Sequence, residues 1–154
     1  MSGHEDAVTL VTAFAKAITS ATGNNGCVHN NGGMLENIGA TVAINDLLLQ
    51  SHGGRMRFFP VWNATALGAA SFVTLRTYGA FLVSAAIDSR GTVSNVSLTS
   101  EVGGDVVFDS PWPATPEVTD GKLAVVPATK VSSGVYSFAT VGGGTYTISG
   151  GGSD

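Results

Sequence analysis

A double glycine, Gly53-Gly54, separates two hydrophobic periodicities that one element cannot satisfy. Ahead of it, Ile38, Val42 and Leu49 fall near one line at helical spacing. Ala40, Ile44, Leu47 and Leu48 widen that line into a broad apolar face, which leaves Asn45, Asp46 and Gln50 for water. Behind it, Arg55-Met56-Arg57-Phe58-Phe59 alternates, with both arginines on one side and Met56 and Phe58 on the other, until Pro60 stops the strand. Asn37 can cap a helix, since its side-chain oxygen accepts from first-turn N–H groups, and glycine supplies the left-handed conformation that ends one. The spacing therefore predicts a helix over residues 37–51 and a strand directly after the glycines.

The same periodicities extend outward from this junction. Ala7, Val11, Phe14 and Ile18 keep helical spacing, so a first helix is expected over residues 5–20, broken by Gly23-Asn24-Asn25-Gly26 and a Gly/Asn-rich loop to Gly33. Downstream, apolar runs of strand length alternate with turn signals at residues 71–77, 80–88, 92–99 and 105–108. Glycine in Asp88-Ser89-Arg90-Gly91 and Val102-Gly103-Gly104-Asp105 suits hairpin connections, so a meander is expected. Further strands are expected at residues 123–126, 134–140 and 145–148, beyond a stretch holding Pro111, Pro113 and Pro116. The expected fold is mainly β with N-terminal helices: two helices over residues 1–52, then an antiparallel β-sandwich of about seven or eight strands over residues 53–154. No period of solenoid length repeats.

Composition excludes several function classes. With 154 residues, 44% hydrophobic and 12% charged, the chain can bury a core. A formal charge of -4 with seven scattered Lys and Arg argues against a nucleic-acid partner. No apolar run approaches the roughly 20 residues that span a bilayer, so no membrane partner is expected. His4, Glu5 and Asp6 spoil a basic signal-peptide start, and the compartment stays open. The single cysteine, Cys27, forms no internal disulfide, and a nucleophilic role beside His29 carries less weight than a loop-filling one. Asn63-Ala64-Thr65 and Asn95-Val96-Ser97 are sequons that matter only in a secretory pathway. The glycines at 142–144 and 150–152 lack the lysine and the strand-to-helix switch of a phosphate loop.

An ordered run of words points further. Glu36-Asn37-Ile38-Gly39, Leu48-Leu49-Gln50-Ser51-His52 and Phe58-Phe59-Pro60-Val61-Trp62 are followed by Ser71-Phe72, Leu75-Arg76, the Gly79 to Ala85 run and Ser110-Pro111-Trp112. Over about the central half of the chain, this order resembles the end of the catalytic region of glycoside hydrolase family 95, the α-L-fucosidase-like enzymes. The resemblance implies inverting hydrolysis of α-L-fucosyl or α-L-galactosyl linkages, with no metal or organic cofactor and an oligosaccharide or glycan as substrate. It also implies that residues 1–52 are the remnant of an (α/α) barrel whose proton donor lies earlier, so the chain alone is expected to be inactive. A secreted parent would be compatible with it.

In that family an Asp-Gly-Asn loop before the LLQSH helix helps to activate water. Ungapped comparison puts Leu35 at the aspartate, Glu36 at the glycine and Asn37 at the asparagine, so the carboxylate is lost; a one-residue deletion puts Glu36 in its place. Glu36 is thus the candidate catalytic residue, against a plainer role beside the helix dipole. Asn37, His29 and His52 are the candidate substrate contacts, with Asn37 equally a cap and His52 equally a partner of the helix C-terminus. Trp62, Tyr78 and Trp112 offer rings for sugar stacking or for ordinary packing, and Arg55 and Arg57 offer an acid clamp or simple strand alternation. The competing expectation is a stand-alone carbohydrate-binding or structural β-sandwich; a structural sandwich would dock on a catalytic domain through its helices.

Overall fold

A computed structural model of the chain describes residues 34–151, together with Thr9 and Ala13. The helix expected over residues 5–20 lies outside the described residues except at Thr9 and Ala13, which are helical. Cys27 and His29 also lie outside them.

Helix α1, Met34–Leu48, runs into a two-residue strand, β1, Leu49–Gln50. The helix stops short of the expected Ser51 because Leu49 and Gln50 pair antiparallel with Phe58 and Arg57 of β2, Arg57–Phe58. Phe59 N–H seals the junction by donating to Leu48 O at 2.8 Å. Between these strands His52–Gly54 forms a 3-10 turn, in which Gly53 and Gly54 both take φ of 71°. The glycines adopt the left-handed conformation their sequence suggests, but they turn a hairpin rather than cap α1. A short helix α2, Ala64–Leu67, follows; the Asn63 side chain caps it by accepting from Ala66 N–H at 3.1 Å.

The rest of the chain is antiparallel sheet. Strands β3 (Ala70–Thr77), β4 (Phe81–Ile87), β5 (Val93–Ser100), β10 (Thr145–Gly150) and β7 (Pro116–Asp120) form one sheet in that order. Strands β6 (Gly103–Asp109), β9 (Val135–Val141) and β8 (Thr129–Ser132) form a second, with β9 in the middle. Met56 extends the second sheet: it bridges Phe108 in parallel, donating to Val107 O and accepting from Asp109 N–H. Over residues 34–151 the fold is mainly β, with antiparallel sheets and two helices.

Three expectations change. The chain is a meander only through β3-β4-β5; the segment Val102-Gly103-Gly104-Asp105 does not turn a hairpin, because β5 pairs with β4 and β10 while β6 pairs with β9. Residues 123–126 form no strand beyond a bridge from Val125 to Thr119, since the Asp120 carboxylate curls the chain by accepting from Lys122 and Ala124 N–H. In their place β7 and β8 complete the sheets.

Alternation buries one face of the strands in a core shared by both sheets. In β4, Phe81, Val83, Ala85 and Ile87 are buried, and the residues between them are half-buried. Val96, Leu98 and Ile148 of the larger sheet share one cluster with Val106, Phe108 and Phe138 of the smaller one, and the rings of Phe138 and Tyr146 meet at 5.5 Å. Two bulges adjust the larger sheet, at Thr74 (φ 57°) and Asn95 (φ 53°), each beside a register shift. Leu49, Met56, Phe58 and Phe59 belong to the same cluster, so the segment around Gly53-Gly54 is anchored in the β core.

Candidate functional site

The words Leu48-Leu49-Gln50-Ser51-His52 lie where α1 enters the sheet. Gln50, rather than His52, reaches the helix end: its Nε2 donates to Asp46 O at 3.1 Å. His52 is exposed, with Nε2 at 3.9 Å from Asp46 Oδ1. Glu36 and Asn37 lie inside α1, preceded by Met34 and Leu35, so Asn37 does not cap it. From Glu36 to Leu48 the helix rises roughly 18 Å. Glu36 and His52 therefore stand at opposite ends of α1 and do not converge on one small ligand.

The arginines behave as the alternation suggests. Arg55 and Arg57 share one face, and both close on Asp109 of β6, Nε to Oδ1 at 2.9 Å and Nε to Oδ2 at 3.2 Å. Asp109 Oδ1 is buried and accepts no hydrogen bond, so its compensation is the ionic contact with Arg55. The acid they clamp belongs to the chain itself.

The other acids divide sharply. Glu101 takes a two-pronged contact from Arg76 at 2.6 and 2.7 Å. Asp88 and Asp120 hold turns. The Thr92 backbone N–H holds the Asp88 carboxyl below its ordinary pKa; desolvation opposes it, and Arg90 adds further lowering. Asp105 and Glu117 have no side-chain partner among the described residues. Asp105 borders a cleft of about 150 Å³ lined also by Ser51, Arg55, Met56, Tyr78 and Phe81.

That cleft lies where the β1–β2 hairpin, the β3–β4 turn and β6 meet. Tyr78 is 75% exposed, at the tip of a turn fixed on both sides. Its N–H donates to Ser51 Oγ at 3.2 Å, and Ala80 O accepts from Glu101 N–H at 3.0 Å. Gly79 (φ 85°) must be glycine there, because a Cβ would lie 2.6 Å from the Phe81 ring. Neither tryptophan is comparably free. Trp62 Nε1 donates to Gly68 O and Trp112 Nε1 to Val93 O, each at 3.0 Å, and both rings pack against the core. They are packing residues. Asp105 carries no local sequence signal, since it reads as the end of a glycine turn.

Among the described residues no three His, Cys, Asp or Glu side chains converge as a metal site needs, and no helix is long and apolar enough to cross a membrane. No protein-family model and no curated protein matches the chain.

Proposed function

We propose that this chain is the C-terminal part of a glycoside hydrolase similar to family 95. In this proposal strands β3–β10 fold as an antiparallel sandwich of eight strands, five facing three. Helix α1 belongs to the helical catalytic region, and the parent reaction is inverting hydrolysis of α-L-fucosyl or α-L-galactosyl linkages. Glu36 then takes the proton of the water that attacks the anomeric carbon, while an acid from the rest of the helical region protonates the leaving oxygen. The sandwich carries the helical region and does none of the chemistry.

What supports this is α1 itself. The single apolar face expected from the spacing is not found: the apolar residues of α1 are spread round the helix rather than gathered on one side. Burial reaches Leu47 in the last turn, while Val42 and Ile44 are 55% and 38% exposed. These two residues are two positions apart, roughly 200° around the axis. A helix that is apolar on opposite sides is normally enclosed by other helices, as in a barrel wall. The order of sequence words around it supplies the family.

The test is an activity assay on the purified chain, paired with the coding sequence upstream of Met1. Expected are no turnover of aryl α-L-fucosides and an upstream frame that continues through paired helices with an acidic site residue. Turnover by the isolated chain would overturn the placing of the proton donor elsewhere, turnover that survives Glu36→Gln would overturn the role of Glu36, and an in-frame stop directly ahead of Met1 would overturn the reading as a part of a longer enzyme.

A further inference from the structure

We propose that the cleft between Tyr78 and Asp105 is a saccharide subsite on the β region, one that takes a single terminal sugar ring. This goes beyond the hydrolase proposal and does not depend on it, because binding here involves no residue of α1.

The chemistry of the lining fits a neutral polyol better than other small ligands. The Tyr78 ring lines the cleft and offers an aromatic surface of the kind that packs on the C–H face of a pyranose, on a turn whose backbone is tied to Ser51 Oγ. Asp105 has no partner among the described residues, which leaves its carboxylate to accept hydrogen bonds from two neighbouring hydroxyls. Arg55 borders the same cleft and meets Asp109 through Nε, so a cation and a free acceptor flank one opening. Met56 and Phe81, both buried, form an apolar floor. An anionic ligand would meet Asp105 head-on, and a purely apolar one would strip water from it without replacement. The volume is below the roughly 300 Å³ at which ordinary small-molecule sites begin, so the ligand is one ring at the end of a chain, held weakly.

The experiment is amide NMR on the whole chain, titrated with millimolar methyl α-L-fucoside, methyl β-D-galactoside and methyl β-D-xyloside. At least one is expected to shift Ser51, Tyr78, Gly79 and Asp105 together. Tyr78→Ala should abolish the shifts and Tyr78→Phe should keep them. Asp105→Asn should weaken binding by roughly tenfold, the scale of a hydrogen bond to a charged group. Silence from all three sugars, shifts centred elsewhere, or binding that survives Tyr78→Ala or is unchanged by Asp105→Asn overturns the subsite. None of these outcomes touches the hydrolase proposal, whose tests are turnover and the upstream frame.

Discussion

The Asp88 carboxylate accepts the backbone N–H of Thr92 at 2.8 Å, closing the β4–β5 turn around Arg90. This hydrogen bond, ahead of the contributions from Arg90, depresses the Asp88 pKa in the folded chain. A depressed carboxylate stabilises the fold at pH above the ordinary aspartate value of about 3.9 and loses that contribution as pH falls through its own lower value. Urea midpoints of the wild type and Asp88→Ala should therefore differ at neutral pH and converge in strong acid. An equal gap at both ends would show that the charge is irrelevant.

Phe108 is fully buried and packs against Phe58, Tyr136 and Phe138 at centroid distances of 6.3, 6.2 and 6.1 Å. It ties the β1–β2 hairpin to the smaller sheet. Phe108→Ala should cost about 3–5 kcal/mol in chemical denaturation. A loss below about 1 kcal/mol would mean the neighbouring rings close the gap.

Ser100 has no solvent exposure, and its Oγ accepts from Gly103 N–H at 3.0 Å while meeting the Thr140 hydroxyl at 2.9 Å. Thr140 in turn donates to Gly104 O, so three polar groups settle the crossing from β5 to β6. Ser100→Ala leaves the part-buried Gly103 N–H without its acceptor and should cost about 1 kcal/mol. A double-mutant cycle with Thr140→Val should show coupling rather than simple addition.

Asp109 balances Arg55 and Arg57, all three side chains being about one-third exposed. Asp109→Asn should cost no more than about 1 kcal/mol at low ionic strength. The cost should shrink as salt is raised, because solvent reaches the pair. Thermal midpoints at two salt concentrations measure this.

Much of the larger sheet was legible because β3, β4, β5 and β10 pair short apolar runs with clear turn residues. Strand β7 was hidden by Pro116, which reads as a breaker but stands at the first position of a strand, where its missing N–H costs little. Strand β8, Thr129–Ser132, is exposed throughout and has no alternation to read. Leu123 and Val125 suggested a strand by composition, yet both are exposed in a turn that Asp120 organises. The end of α1 is not legible locally, because Leu49-Gln50 fits helix or strand and only pairing with Arg57-Phe58 decides. The Tyr78–Asp105 cleft joins residues far apart in sequence, so no local pattern announces it.

Strand β10 lies between β5 and β7, although it is the last of the ten strands among the described residues. On the ribosome, then, β5 has to wait for Thr145–Gly150 with an unpaired edge, carrying Val93, Val96 and Leu98. That interval, rather than the finished protein, is when self-association is most dangerous. Chains cut short before Thr145 should therefore aggregate rather than fold to a smaller native core.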